Sequence, residues 1–141
     1  TVILDNNTIS RLHRSCESLL KLPKERNIIT KEGGVVLSVK NMKYQGDHVF
    51  LQFEIWNKSS IRFDFGTMNF FKVNGNKKRN ASHQEIPLKA VYVHNTPKQI
   101  LPSTSVGLVY VFPKFTLDKD ERMEVRLKEM NTNRSVVLNW R

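Results

Sequence analysis

Two periodicities divide the chain. Near the N-terminus, apolar side chains recur at helical spacing. Ile9, Leu12, Cys16, Leu19 and Leu20 form one stripe, with Arg11, Arg14, Glu17, Ser18 and Lys21 on the other side. Asn7-Thr8 offers a capping residue for the first turn. Pro23 ends the helix at about Lys21 or Leu22, because the residue before a proline is pushed out of helical geometry. One short amphipathic helix is marginal in isolation. The stripe must therefore lie against something: the sheet of this domain, a neighbouring domain or a partner subunit. Cys16 sits on the stripe and reads as a small buried apolar residue rather than a reactive thiol.

Lys24 to Gly34 reads as a polar connector, closed by the turn signal Gly33-Gly34. From Val35 onward the period becomes two. Strands are expected at Val35–Lys43, Val49–Asn57, Thr67–Val73, Ile86–Val93, Val106–Phe112, Met123–Met130 and Ser135–Trp140. Breakers separate them: Gln45-Gly46-Asp47, Asn57-Lys58-Ser59-Ser60, Asn74-Gly75, Pro97 with Pro102, and Asn131-Thr132-Asn133. In the second strand Val49, Leu51, Phe53 and Ile55 alternate with polar Gln52 and Glu54. In the sixth, Met123, Val125 and Leu127 alternate with Arg122, Glu124, Arg126 and Lys128. Both patterns describe antiparallel strands buried on one face. The fifth, Val106 to Phe112, is apolar on both faces, so it is central or covered by the helix. Phe50 and Trp56, on the outer face of the second strand, also call for a cover. The expected architecture is all-β: an immunoglobulin-like β-sandwich of about seven strands with one N-terminal α-helix. The expected division is residues 1–34 for helix and connector and 35–141 for the sandwich domain.

A chain of 141 residues suits one domain with a core of its own. Cys16 is the sole cysteine, so no internal disulfide staples the fold. The chain begins at Thr1, which fits a processed form or an excised domain, and it contains no apolar run long enough to span a membrane. Charge changes the picture more. The net charge is +10, from 23 basic and 13 acidic residues. Between Lys72 and Lys98 stand six basic residues and one acid, Glu85, a local excess of +5. Half the surplus is thus concentrated in one stretch, which attracts nucleic acid, an anionic membrane surface or an acidic protein.

Motifs for catalysis are missing. The four histidines (His13, His48, His83 and His94) have no metal-binding spacing. There is no phosphate loop, nucleophile elbow or dinucleotide fingerprint. No enzyme activity and no cofactor are expected. A nucleic-acid-binding module is the main alternative: Lys77, Lys78 and Arg79 would neutralise phosphates, while Phe70, Phe71 and Tyr92 would stack on bases. Phe70 and Phe71 are adjacent, however, and adjacent strand residues face opposite sides. A carbohydrate- or envelope-binding sandwich would need an exposed aromatic in a cleft, with Trp56 and Trp140 as the candidate tryptophans.

The wording of the central stretch is distinctive. Phe70-Phe71-x-Val73 is followed by Lys77-Lys78-Arg79, Ala81, Gln84-Glu85 and Tyr92-Val93. Upstream stand Val39-Lys40-Asn41 and Asn57-Lys58-Ser59-Ser60-Ile61; downstream stands Val111-Phe112-Pro113-Lys114-Phe115-Thr116. This pattern resembles the TraN family of conjugative-transposon proteins of Bacteroides-type bacteria, from about Leu19 to the C-terminus. The resemblance implies a structural subunit of a conjugative DNA-transfer apparatus, type IV secretion-like, working by protein–protein contact in the periplasm. It also implies an outer-membrane-associated location, and as partners other subunits of the apparatus, among them a small outer-membrane lipoprotein. On that reading the contact surface is the basic loop Lys77, Lys78, Arg79 to Gln84, shaped by Glu85 and Tyr92. The helix stripe Ile9 to Leu20 is a second contact candidate.

Overall fold

A computed structural model of the chain describes residues 4–75 and 84–141. The helix, α1 (Asn6–Leu20), is capped earlier than the sequence indicates. Asp5, not Asn7 or Thr8, is the cap: its carboxylate accepts the Thr8 backbone N–H at 2.7 Å. Leu12, Cys16 and Leu19 are buried, while Ile9 at the end of the stripe stays exposed.

Ten antiparallel strands are described. They are β1 (Ile28–Glu32), β2 (Val35–Gln45), β3 (His48–Asn57), β4 (Phe63–Asn74), β5 (Gln84–Leu88), β6 (Tyr92–His94), β7 (Gln99–Ile100), β8 (Thr104–Pro113), β9 (Glu121–Glu129) and β10 (Ser135–Trp140). One sheet runs β1-β2-β3-β8-β6 and the other β10-β9-β4-β5, with β7 paired to β4. The inner faces of the two sheets meet in one core. Phe70 of β4 lies 4.7 Å from Tyr110 and 4.9 Å from Phe112 of β8, ring centre to ring centre, with Phe53 at 5.6 Å. The alternation expected for the sixth strand holds, with Met123, Val125 and Leu127 in the core; in the second, Val49, Leu51, Phe53 and Ile55 are core as expected, but Phe50 and Gln52 on the opposite face are buried as well, so that strand is not buried on one face only.

Three expectations need correction. Part of the connector Lys24–Gly34 is itself a strand: β1 pairs with β2 across the Gly33-Gly34 turn, where both glycines have positive φ, as a two-residue hairpin requires. Its pattern escapes notice because an edge strand buries little. Second, the run Ile86–Val93 is not one strand. Its first part, β5, pairs with β4; its last part, β6, pairs with β8 in the other sheet. Hydropathy records burial, not the partner strand, so a change of sheet leaves no mark. Third, β4 begins at Phe63, not Thr67. A bulge between Phe65 and Thr67 carries it through Gly66, where an added Cβ would stand 2.6 Å from the Lys128 carbonyl oxygen of β9.

The helix covers its own domain. Leu12, Cys16 and Leu19 pack on Phe50, Val109 and Val111 of the outer face of the first sheet. This explains why β8 is apolar on both faces. Trp56 receives no such cover: it is 41 % exposed, with the Lys58 ammonium 4.1 Å above its ring. At one end, a buckle closes the sandwich. Arg134 grips Glu129 with two bonds of 2.6 and 3.0 Å, donates to Ser59 Oγ at 2.9 Å and to the Arg62 carbonyl at 2.7 Å. Among the described residues no helix is long and apolar enough to cross a membrane.

Candidate functional site

Lys77, Lys78 and Arg79 lie outside the described residues. The remaining predicted contact residues are divided between the two sheets. Gln84 and Glu85 open β5, at the edge of the second sheet, and both are exposed. Glu85 is engaged: its carboxylate meets the Arg126 guanidinium at 2.8 Å. Arg126 also pairs with Glu124 at 2.6 Å and stacks 4.0 Å over the ring of Phe71. Three strands of the second sheet are thereby tied together through one side chain, so Glu85 anchors the edge strand. Tyr92, by contrast, opens β6 in the first sheet and packs beside α1. Its hydroxyl lies 3.3 Å from His13 Nδ1, and burial pushes its pKa up.

Between these two places the chain crosses from one sheet to the other. The crossing segment, Pro87 to Val91, faces Phe112 to Phe115 across a cavity of about 670 Å³. Leu88, Val91, Phe112 and Phe115 supply apolar walls, and Lys89 and Lys114 supply charge. Both walls belong to stretches whose wording is distinctive in the sequence, far apart in the chain and joined only by the fold. Beside the cavity, β5 is a sheet edge with Ile86 43 % exposed. Such an edge presents unpaired backbone groups to any incoming strand. Chemically, the flank can hold an extended apolar segment carrying negative charge.

A second cluster has almost no sequence signature. His94 of β6 is 7 % exposed, and its Nε2 lies 3.4 Å from a Glu17 carboxylate oxygen. The other oxygen of Glu17 lies 3.9 Å from His13 Nε2. The two imidazole rings meet edge to face at 4.8 Å. Only the four-residue spacing of His13 and Glu17 on the helix is visible in the sequence. The cluster pins α1 to β6. Among the described residues no group of three or more His, Cys, Asp or Glu is placed to hold a metal ion. The Cys16 thiol is buried, which pushes its pKa up to about 12 and removes it from nucleophilic chemistry near neutral pH.

The aromatic rings considered for base stacking are occupied. Phe70 is core, Phe71 lies under Arg126, and Tyr92 stacks on His94 at 6.4 Å in the helix interface. Trp140 is 5 % exposed.

The family model for a domain of unknown function, DUF4138, matches residues 13–141, nearly the whole chain. The chain belongs to that family. Among curated proteins, none matches it.

Proposed function

We propose that this DUF4138 domain is a structural subunit of a conjugative DNA-transfer apparatus, type IV secretion-like, acting as an immunoglobulin-like assembly module in the periplasm near the outer membrane. The TraN-like wording of residues 70–93 and 111–116 supports the setting. The observation that carries the contact mechanism is the apolar cavity on the flank between β5 and β6, walled by Lys89 and Lys114 and adjoining an exposed sheet edge. An extended segment of another subunit lying there would gain backbone hydrogen bonds from the edge and apolar burial from the cavity. Along the chain four residues, Asn80 to His83, separate the basic run Lys77-Lys78-Arg79 from β5, and on this reading its charge acts on the same partner. A bidentate Arg79–carboxylate pair would favour an acidic segment.

The test is co-purification of the tagged full-length protein from cells carrying the mobile element, after light crosslinking of the membrane fraction. Two variants run in parallel: Lys77→Ala/Lys78→Ala/Arg79→Ala and Lys89→Glu/Lys114→Glu. Recovery of other transfer subunits, with loss of one of them in either variant, supports the reading. Recovery of DNA alone, released by a high-salt wash, replaces it with the nucleic-acid reading.

A further inference from the structure

A second surface, with its own lining residues, lies along α1. Between α1 and the β2–β3 hairpin lies a cavity of about 430 Å³. Its floor is apolar: Leu19, Leu22 and Phe50. Its charged rim is Arg11, Arg14 and Lys43, and no acidic side chain lines it. It shares Arg11, Ser15, Gln45 and Phe50 with a neighbouring cavity of about 320 Å³ that is also lined by Asp47 and His48. Two adjoining cavities along one helix give a peptide more than one place to seat side chains.

The charges are available. Arg11 and Arg14 stand three residues apart on one helix face, where side chains are neighbours. Among the described residues neither forms a salt bridge; Arg11 acts on Asp5 only through longer-range charge. Lys43 is the exception, held by Glu25 at 2.7 Å. Leu22 is 49 % exposed, so part of the apolar floor remains open to solvent. Two exposed guanidiniums, without ion partners among the described residues, beside open apolar surface complement a carboxylate that has an apolar neighbour.

We propose that this cleft seats a short acidic segment of a partner protein, with an apolar side chain on Leu19, Leu22 and Phe50 and a carboxylate held between Arg11 and Arg14. The guanidinium fork matches a carboxylate through two parallel hydrogen bonds, which a lysine ammonium cannot do. The inference does not depend on the conjugation reading, because the cleft shares no lining residue with the cavity between β5 and β6.

The experiment is fluorescence anisotropy of the whole chain with a short fluorescein-labelled peptide of alternating Glu and Leu, at low salt. Binding is expected to weaken at least about tenfold in Arg11→Ala/Arg14→Ala and when Gln replaces Glu in the peptide. It should stay unchanged in Lys77→Ala/Lys78→Ala/Arg79→Ala. Both arginines are exposed, and an unchanged far-ultraviolet circular dichroism spectrum verifies that the variant is folded. The proposal is overturned if the arginine variant binds as the parent does, if the loss follows the basic-loop variant instead, or if the peptide does not bind. Capture of phosphatidylglycerol vesicles in place of the peptide also overturns it, and marks the face as membrane-directed.

Discussion

Glu129→Gln isolates the electrostatic part of the buckle at almost constant shape. The Glu129 side chain is 2 % exposed, yet it is surrounded by donors: Arg134 twice, the Asp64 backbone N–H at 2.8 Å and the Thr132 hydroxyl at 2.7 Å. The Arg134 hydrogen bonds, more than anything else, hold its pKa down to about 2, against an ordinary 4.5. A carboxyl shifted that far favours the folded state by about 3 kcal/mol at neutral pH. The sign follows from the depression. The stabilisation is present above the unfolded value and disappears as pH falls through the folded one. It should therefore be about 3 kcal/mol at pH 7, about 1 near pH 3 and close to nothing near pH 2. The amide introduced by the substitution carries no charge and turns a donor toward the Arg134 donors, so the variant should lack this contribution at every pH. Urea denaturation of both proteins, followed by tryptophan fluorescence, measures the gap. With a slope of about 1.5 kcal/mol per molar, the midpoint should drop by about 2 M at pH 7. The difference should narrow steadily on acidification. A gap of the same size at pH 7 and pH 3 would refute the assignment of the stabilisation to the ionised carboxylate.

Three further outcomes follow from particular contacts. Gly66→Ala pushes a Cβ to within 2.6 Å of the Lys128 carbonyl oxygen and 2.9 Å of the Met130 nitrogen, backbone atoms that cannot swing away; a cost of about 2 kcal/mol or more should lower the calorimetric melting temperature by about 6 °C. Leu12→Ala removes a side chain that is 2 % exposed between α1 and the first sheet, at a cost of about 3 kcal/mol. It should reduce the 222 nm ellipticity while the sandwich keeps its own cooperative transition; loss of both together would contradict a covering role for the helix. Arg126→Ala removes the guanidinium's contacts to Glu85, Glu124 and the face of Phe71 at once; global stability should change by only about 1 kcal/mol, but amide exchange in Gln84–Leu88 should rise about tenfold.

What could be read beforehand was set by one-sided burial. Met123 to Leu127 alternate because one face of that strand meets the core, and a period of two records that directly; Val49 to Ile55 show the inner face the same way, while Phe50 on the outer face is buried under the helix. The helix stripe was legible for the same reason, and its docking target was hinted at by a strand, Val106 to Phe112, that is apolar on both faces. Where burial is slight or the partner changes, the pattern is silent. Ile28–Glu32 is an edge strand with little to bury, and Ile86–Val93 stays apolar while it leaves one sheet for the other. The expected contact set suffered most from this. Gln84, Glu85 and Tyr92 are close along the chain, yet the crossover sends Tyr92 under the helix and leaves Glu85 tied to Arg126. His13 and His94 show the converse: far apart in the chain, they touch.

The sequence by itself determined the class of the fold, the amphipathic helix, most strand positions and the concentration of positive charge, because each depends on local periodicity or simple counting. Tertiary structure alone decided which strands pair, which face the helix covers, and which side chains meet. It put Pro87–Val91 against Phe112–Phe115, Arg134 against Glu129, and Arg11 and Arg14 beside an apolar floor. The distant partners among them, Phe112–Phe115 for Pro87–Val91, Ser59 and Arg62 for Arg134, and Phe50 for Arg11 and Arg14, were chosen by how two twisted sheets and one helix close over a shared interior. No local pattern encodes that choice, because the same hydropathy is satisfied by many pairings and only collective packing selects among them.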